Sequence, residues 1–171
     1  MRSALIPLEK RELRELINKN WMTHDAMWFY NCLQEYGIEK TNKINKAAIK
    51  GMAAIEIKRM KKALGAEKIE TFDEYKQFFD SVMSLATGDF MDYSYSYPAK
   101  NIVHAEWHSC FAYDGMKALG TIDRYECGIM LRIDTWLDTL GIKYEVQPVI
   151  TGCMMHTDGK CYRDYRFFFD K

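Results

Sequence analysis

Two of the five cysteines, Cys153 and Cys161, flank a short polar run in "GCMMHTDGKCYRDYRFFF" (152–169), with His156 between them. Thiols so placed could pair as a disulfide, hold a metal ion, act as a nucleophile or simply pack as small hydrophobes. Asp158-Gly159 reads as a hairpin turn, and an antiparallel connection brings its two ends together, so both thiols could share one ion. Cys127, expected one turn into the preceding helix, can be delivered to the same end of the sheet. Three thiolates leave one place on a tetrahedral zinc, for which His156 or Cys110 could serve. Spacing alone does not separate this from ordinary packing, because C-x7-C is far less specific than paired CxxC knuckles.

Further groups could do acid–base or nucleophilic work. His24 and Asp25 fall in "WMTHDAMWF", where neighbouring aromatic residues could make an apolar pocket for an acid or base; a capped helix with Trp21 and Trp28 in the core is the plainer account. His104, Glu106, His108 and Cys110 share one face of an alternating run. That face could gather imidazoles and a carboxylate around a metal or a water, or be merely solvated. Cys110 sits where a helix begins, a position expected to lower a thiol pKa, with His108 or His104 as a possible base. Asp134 and Asp138 lie four apart and repel, which suits solvent or a lysine better than a carboxylate pair. Tyr93, Tyr95, Tyr97, Trp107, Tyr162 and Phe168 could line one apolar sheet face, with Trp107, Tyr95 and His104 as candidate ligand contacts.

These residues need elements to position them. Leu8, Leu13, Leu16 and Ile17 recur at helical spacing; a second helix is expected from an N-cap at Thr23 to a stop at Gly37. A long amphipathic helix follows, with Ile38, Thr41, Ile44, Ala48, Met52, Ile55 and Met60 on one face and lysines on the other. Thr71 with Glu74 is a capping box. From Gly88 the period becomes two: "DFMDYSYSYP" and "NIVHAEWHSC" predict a hairpin, "CFAYDGMKALG" and "TIDRYECGIMLRIDTWLDTLG" two glycine-ended helices, and "IKYEVQPVIT" and "KCYRDYRFFF" two more strands. The order predicts an α+β fold, N-terminal helices over 1–87 and a four-stranded antiparallel sheet with helices on one face over 88–171, together one compact domain.

The 171 residues are 48% hydrophobic, enough for a core, and 24 basic residues balance 24 acidic ones. No global field draws the chain to nucleic acid or anionic lipid. "MRSALIPLEKRELREL" has no signal-peptide apolar region and no run approaches the roughly 18 apolar residues of a membrane span, so a cytoplasmic protein with free, metal-bound or catalytic thiols is expected. The expected partner is a small molecule, and the long apolar stripe is expected to bury against the body that carries the sheet or against a second copy of the chain.

Two resemblances bear on function. Cys127, Cys153 and Cys161, with Gly159 before the last and an aromatic strand after it, resemble the end of the 4-vinyl reductase domain. That resemblance implies zinc held by the three cysteines and an acidic residue beside a small-molecule pocket; the acidic position is Ile150 here. "HSCFAYDGMKALGTIDRYECGIMLRIDTWLDTLG" with "GCMMHTDGKCYRDYRF" is similar to the L-2-amino-thiazoline-4-carboxylic acid hydrolase family. "NWMTHDAMWFYNCLQEYG", "NKIN" and "EIKRMKKALG" resemble uncharacterised prokaryotic relatives of those enzymes. This second likeness implies hydrolysis of a C–N bond in a small heterocyclic or amide-like compound, with a metal to activate water or a thiolate to attack it; the first implies a ligand-binding sensor in which zinc is structural.

Overall fold

A computed structural model describes residues 7–169. Helix α1 (Lys10–Ala63) opens on a capping box between Glu9 and Glu12 and is broken once, at Gly37, whose φ of 74° and ψ of 172° are not helical. Glycine tolerates that conformation, so the stop expected at Gly37 becomes a kink between an N-terminal arm (10–36) and a second limb (38–63). Thr23 caps nothing: the helix runs through it and its hydroxyl donates to the Lys19 carbonyl at 2.8 Å. With no proline or glycine near Thr23, cap chemistry there loses to continuous backbone hydrogen bonding.

Helix α2 (Phe72–Ala86) begins at Thr71, whose hydroxyl accepts from Glu74 N at 3.2 Å while the Glu74 carboxylate accepts from Thr71 N at 3.0 Å. Strands β1 (Tyr93–Ala99) and β2 (Ile102–Trp107) form the first hairpin. Then come α3 (Phe111–Ala118), a single 3-10 turn (Ile122–Arg124), α4 (Ile129–Leu140), β3 (Lys143–Gln147), α5 (Met154–Asp158) and β4 (Cys161–Phe168). The four strands are antiparallel in the order β1-β2-β4-β3, so the fold is α+β with β4 in the interior of the sheet.

Alternation divides the sheet's two faces. Tyr93, Tyr95, Tyr97, Val103, Trp107, Tyr165 and Phe167 join the core with Tyr75, Phe79 and Val82 of α2, Ile133, Trp136 and Leu137 of α4, and Ala53 and Ile57 of α1. That core draws on both halves of the chain. Tyr162 and Phe168 were expected on this face, but the period of two that puts Arg163, Tyr165 and Phe167 inside turns them outward, and Phe168 is exposed.

The second limb of α1 packs along α4 on part of the expected stripe, Ile38, Thr41, Met52 and Met60 lying inward and Ile44, Ala48 and Ile55 outward. Ile38, Thr41, Ala53 and Ile57 are buried, whereas Ile44 and Ile55 face out at 47% and 53% exposure. Three polar residues, Asn42, Asn45 and Glu56, occupy the inward positions, and at least two have specific partners there. Asn42 donates to Arg124 O at 2.7 Å and accepts from Glu126 N at 3.2 Å. Glu56 accepts two bonds from Arg132 and one from Trp136 Nε1 at 3.0 Å.

The turn between Cys153 and Cys161 also differs from expectation. Strand β3 ends at Gln147, Pro148 can donate nothing to the ladder, and the chain leaves the sheet. Residues 154–158 wind into α5, with Cys153 as its N-cap residue and Gly159 (φ 69°) as its left-handed stop. The Asp-Gly pair therefore ends a helical turn. Among the described residues no helix is long and apolar enough to cross a membrane.

Candidate functional site: a cysteine quartet beside an apolar cavity

Four of the five cysteines come together although each sits on a different segment. Cys161 opens β4, directly opposite Trp107 in the β2 register. Cys153 precedes α5, and Cys110 precedes α3. Cys127 lies in the loop before α4, not inside the helix. That loop is fixed from two sides: Asn42 clamps residues 124–126, and Gly128 packs against α1 so closely that a Cβ there would stand 2.2 Å from Ile49 Cδ1 and push that side chain aside. All four thiols border one gap of ≈ 20 Å³ with Trp107, Tyr125, Met154 and Arg163. Cys32 is on α1 outside the gap, and His156 is exposed on α5 and does not border it. The fourth side chain at the gap is therefore Cys110.

Burial pushes the thiols of Cys110 and Cys153 above the ordinary range and that of Cys161 up to about 12. Neighbouring thiols add to this, because a thiolate at one position repels a thiolate at the next. The helix start at Ala112 and Tyr113 opposes the effect at Cys110 but does not overcome it, so the lowered pKa expected there is replaced by a raised one. Among the described residues no three His, Cys, Asp or Glu side chains already stand as an ion-holding group.

A larger cavity of ≈ 250 Å³ adjoins this gap and shares Trp107, Cys110, Ala112, Tyr125 and Ile129 with it. The α1 arm roofs it with Trp21, Met22, Asp25 and Phe29. The arm is held at its far end, where Arg11 pairs with Asp89, Glu15 accepts from Asp89 N at 2.8 Å and Arg14 donates to Ser84 O at 2.8 Å. Near the kink, Phe29 and Ile38 pack with Tyr125 and Cys153 in a second small core. The walls come from α4 through Arg132, Ile133 and Trp136, and from Met83, Phe90, Met91 and Tyr93. Arg132 spans Glu56 and the rings of Trp21 and Trp136, with its guanidinium 5.3 and 5.1 Å from their centroids.

The remaining candidates are scattered. Of the His24–Asp25 pair only Asp25 borders the cavity; His24 is bonded by Trp28 Nε1 at 3.1 Å and does not line it. His108 is exposed, its Nε2 2.9 Å from Ser94 Oγ. His104 lies across the outer face of the sheet, Nδ1 2.7 Å from Asp164 and its ring against Tyr162. Tyr95 is under the sheet, donating to Asp80 at 2.9 Å as Tyr97 does at 2.6 Å. Asp134 is also bonded, accepting from Tyr165 at 2.9 Å. No imidazole borders either the thiol gap or the large cavity. Sequence reasoning passed over Asn42, Glu56 and Arg132; the available signal was polar residues recurring on the same helical stripe as Ile38, Ala53 and Ile57.

Residues 7–85 match the model of a family of unknown function (DUF6125), a stretch covering α1 and nearly all of α2 and ending before the sheet. No curated protein matches the chain.

Proposed function

We propose that the protein is a small-molecule-binding domain whose cysteine quartet holds one transition metal ion, zinc by its donor set, at the closed end of the ligand cavity. The observation carrying this reading is the convergence of Cys110, Cys127, Cys153 and Cys161 on one gap that shares its wall with a 250 Å³ apolar cavity. The donors fit a soft, tetrahedral ion in kind and number. Uptake would displace protons from the ligating thiols, and the ion would supply binding free energy that counts as folding free energy. A four-thiolate set leaves no open position for substrate or water, which favours a structural role. The hydrolytic alternative would rest on Asp25 and Cys110, since among the described residues no imidazole lines the cavity or the gap.

Ligand binding is tested with N-phenyl-1-naphthylamine, an uncharged fluorophore that brightens in apolar surroundings. One saturable site per chain is expected. Trp107→Ala should weaken it at least tenfold while far-UV circular dichroism is retained, and Ala26→Trp, filling the cavity from its rim, should block it. Absence of saturable binding to the unaltered protein, or equal binding by all three proteins, overturns the pocket.

A further inference from the structure

The polar groups around the large cavity are unevenly supplied with partners. Arg132 is neutralised by Glu56, which it contacts through two nitrogens, both side chains being over four-fifths buried. The Thr87 hydroxyl donates to Met83 O and lies 3.0 Å from Tyr93 Oη. Asp25 borders the cavity from an exposed position on the α1 arm, and it is the acidic side chain there with no ion pair or hydrogen bond among the described residues. Burial pushes its pKa up; His24 and Arg132 act in the opposite direction but less strongly. With Arg132 and Glu56 cancelling, the cavity carries one uncompensated acidic group. Asn45 and Ser109 also border it, but most of the lining is apolar, with Trp21, Phe29, Tyr93, Trp107, Phe111 and Trp136 around it.

Size narrows the ligand further. A dry apolar cavity of about 150 Å³ accepts benzene. At ≈ 250 Å³ this one has room for a ring and a short side chain. A carboxylate on that side chain would meet Asp25 with like charge and find Arg132 already paired. An ammonium group could pair with Asp25 at the rim while lying against the surrounding ring faces.

We infer that the cavity takes a ring-bearing amine, with its apolar body among the aromatic side chains and its cationic nitrogen on Asp25. This rests on the ligand-binding reading above and adds the charge of the ligand to it.

Three probes of one size separate the possibilities: 2-phenylethylamine, ethylbenzene and phenylacetate, titrated into the full chain at neutral pH and followed by backbone amide chemical shifts. The amine should bind tightest, at least about tenfold ahead of phenylacetate, the worth of one charge-assisted bond. Asp25→Asn, nearly isosteric, should lower amine affinity about tenfold and leave ethylbenzene unchanged. If the amine and ethylbenzene bind alike and Asp25→Asn alters neither, the amine assignment is wrong while the pocket stands. Tighter binding of phenylacetate also overturns the assignment. If none of the three shifts the cavity amides, pocket and assignment fall together.

Discussion

Serine in place of Cys153 or of Cys161 is expected to abolish metal retention and to lower the melting temperature by about 10 °C, the shift that a loss of about 3–4 kcal/mol produces in a chain of this size. Both residues line the quartet gap, and a missing donor would leave the other three unable to complete a tetrahedral shell. Cys32→Ser is the control, since that side chain lies on α1 away from the gap; it should retain metal and melt within about 2 °C of the parent, as substitutions outside special features do. Cys110→Ser should behave like the first pair and His156→Ala like the control, because Cys110 borders the gap and His156 does not. Were all the cysteine substitutions to behave alike, the thiols would be packing groups with no shared ligand.

The second large effect concerns Glu56, which holds α1 to α4 through three hydrogen bonds, two from Arg132 and one from the indole of Trp136. The Glu56 and Arg132 side chains are 18% and 19% exposed, so solvent screens the pair only weakly. Glu56→Ala should cost about 3 kcal/mol, read as a urea midpoint shift, because it strands a mostly buried guanidinium and an indole N–H. Glu56→Ala combined with Arg132→Met should recover part of that loss, since the uncompensated charge goes with its partner. A single-variant cost under about 1 kcal/mol, the range of exposed ion pairs, would contradict the placement of this pair inside the α1–α4 contact.

Much of the fold could be read from the order of residues. The change of period near Gly88 marks where helices give way to the sheet, and the alternation from Tyr93 to Tyr97 and from Ile102 to Trp107 assigns the inner and outer faces that burial shows. Gly37 and Gly141 announce helix ends, at a kink in one case and a left-handed cap in the other. Less legible was anything decided by tertiary contact. A stripe chosen for apolar character put Ile44 and Ile55 inside, whereas α1 turns Asn42 and Glu56 inward because they find partners on the segment 124–136. Local turn chemistry at Asp158-Gly159 did not distinguish a hairpin from the last turn of a helix, as a left-handed glycine serves both.

The site follows the same division. Cysteines at 127, 153 and 161 stand out in the sequence, and the gap they border is where the sheet's end suggested. Cys110 at a helix start reads equally as a fourth ligand, in competition with His156, or as a nucleophile, because only the folded chain shows which thiols surround it. Asp25 was paired with His24 by adjacency, yet neighbours on a helix diverge by about 100°, and only the carboxylate meets the cavity.

The most direct test is elemental analysis of untagged protein purified without chelators, expressed as metal per chain and repeated on Cys153→Ser. The quartet requires one zinc ion per chain in the parent and none in the variant. Metal-free parent protein that melts at the same temperature with and without added zinc would contradict it.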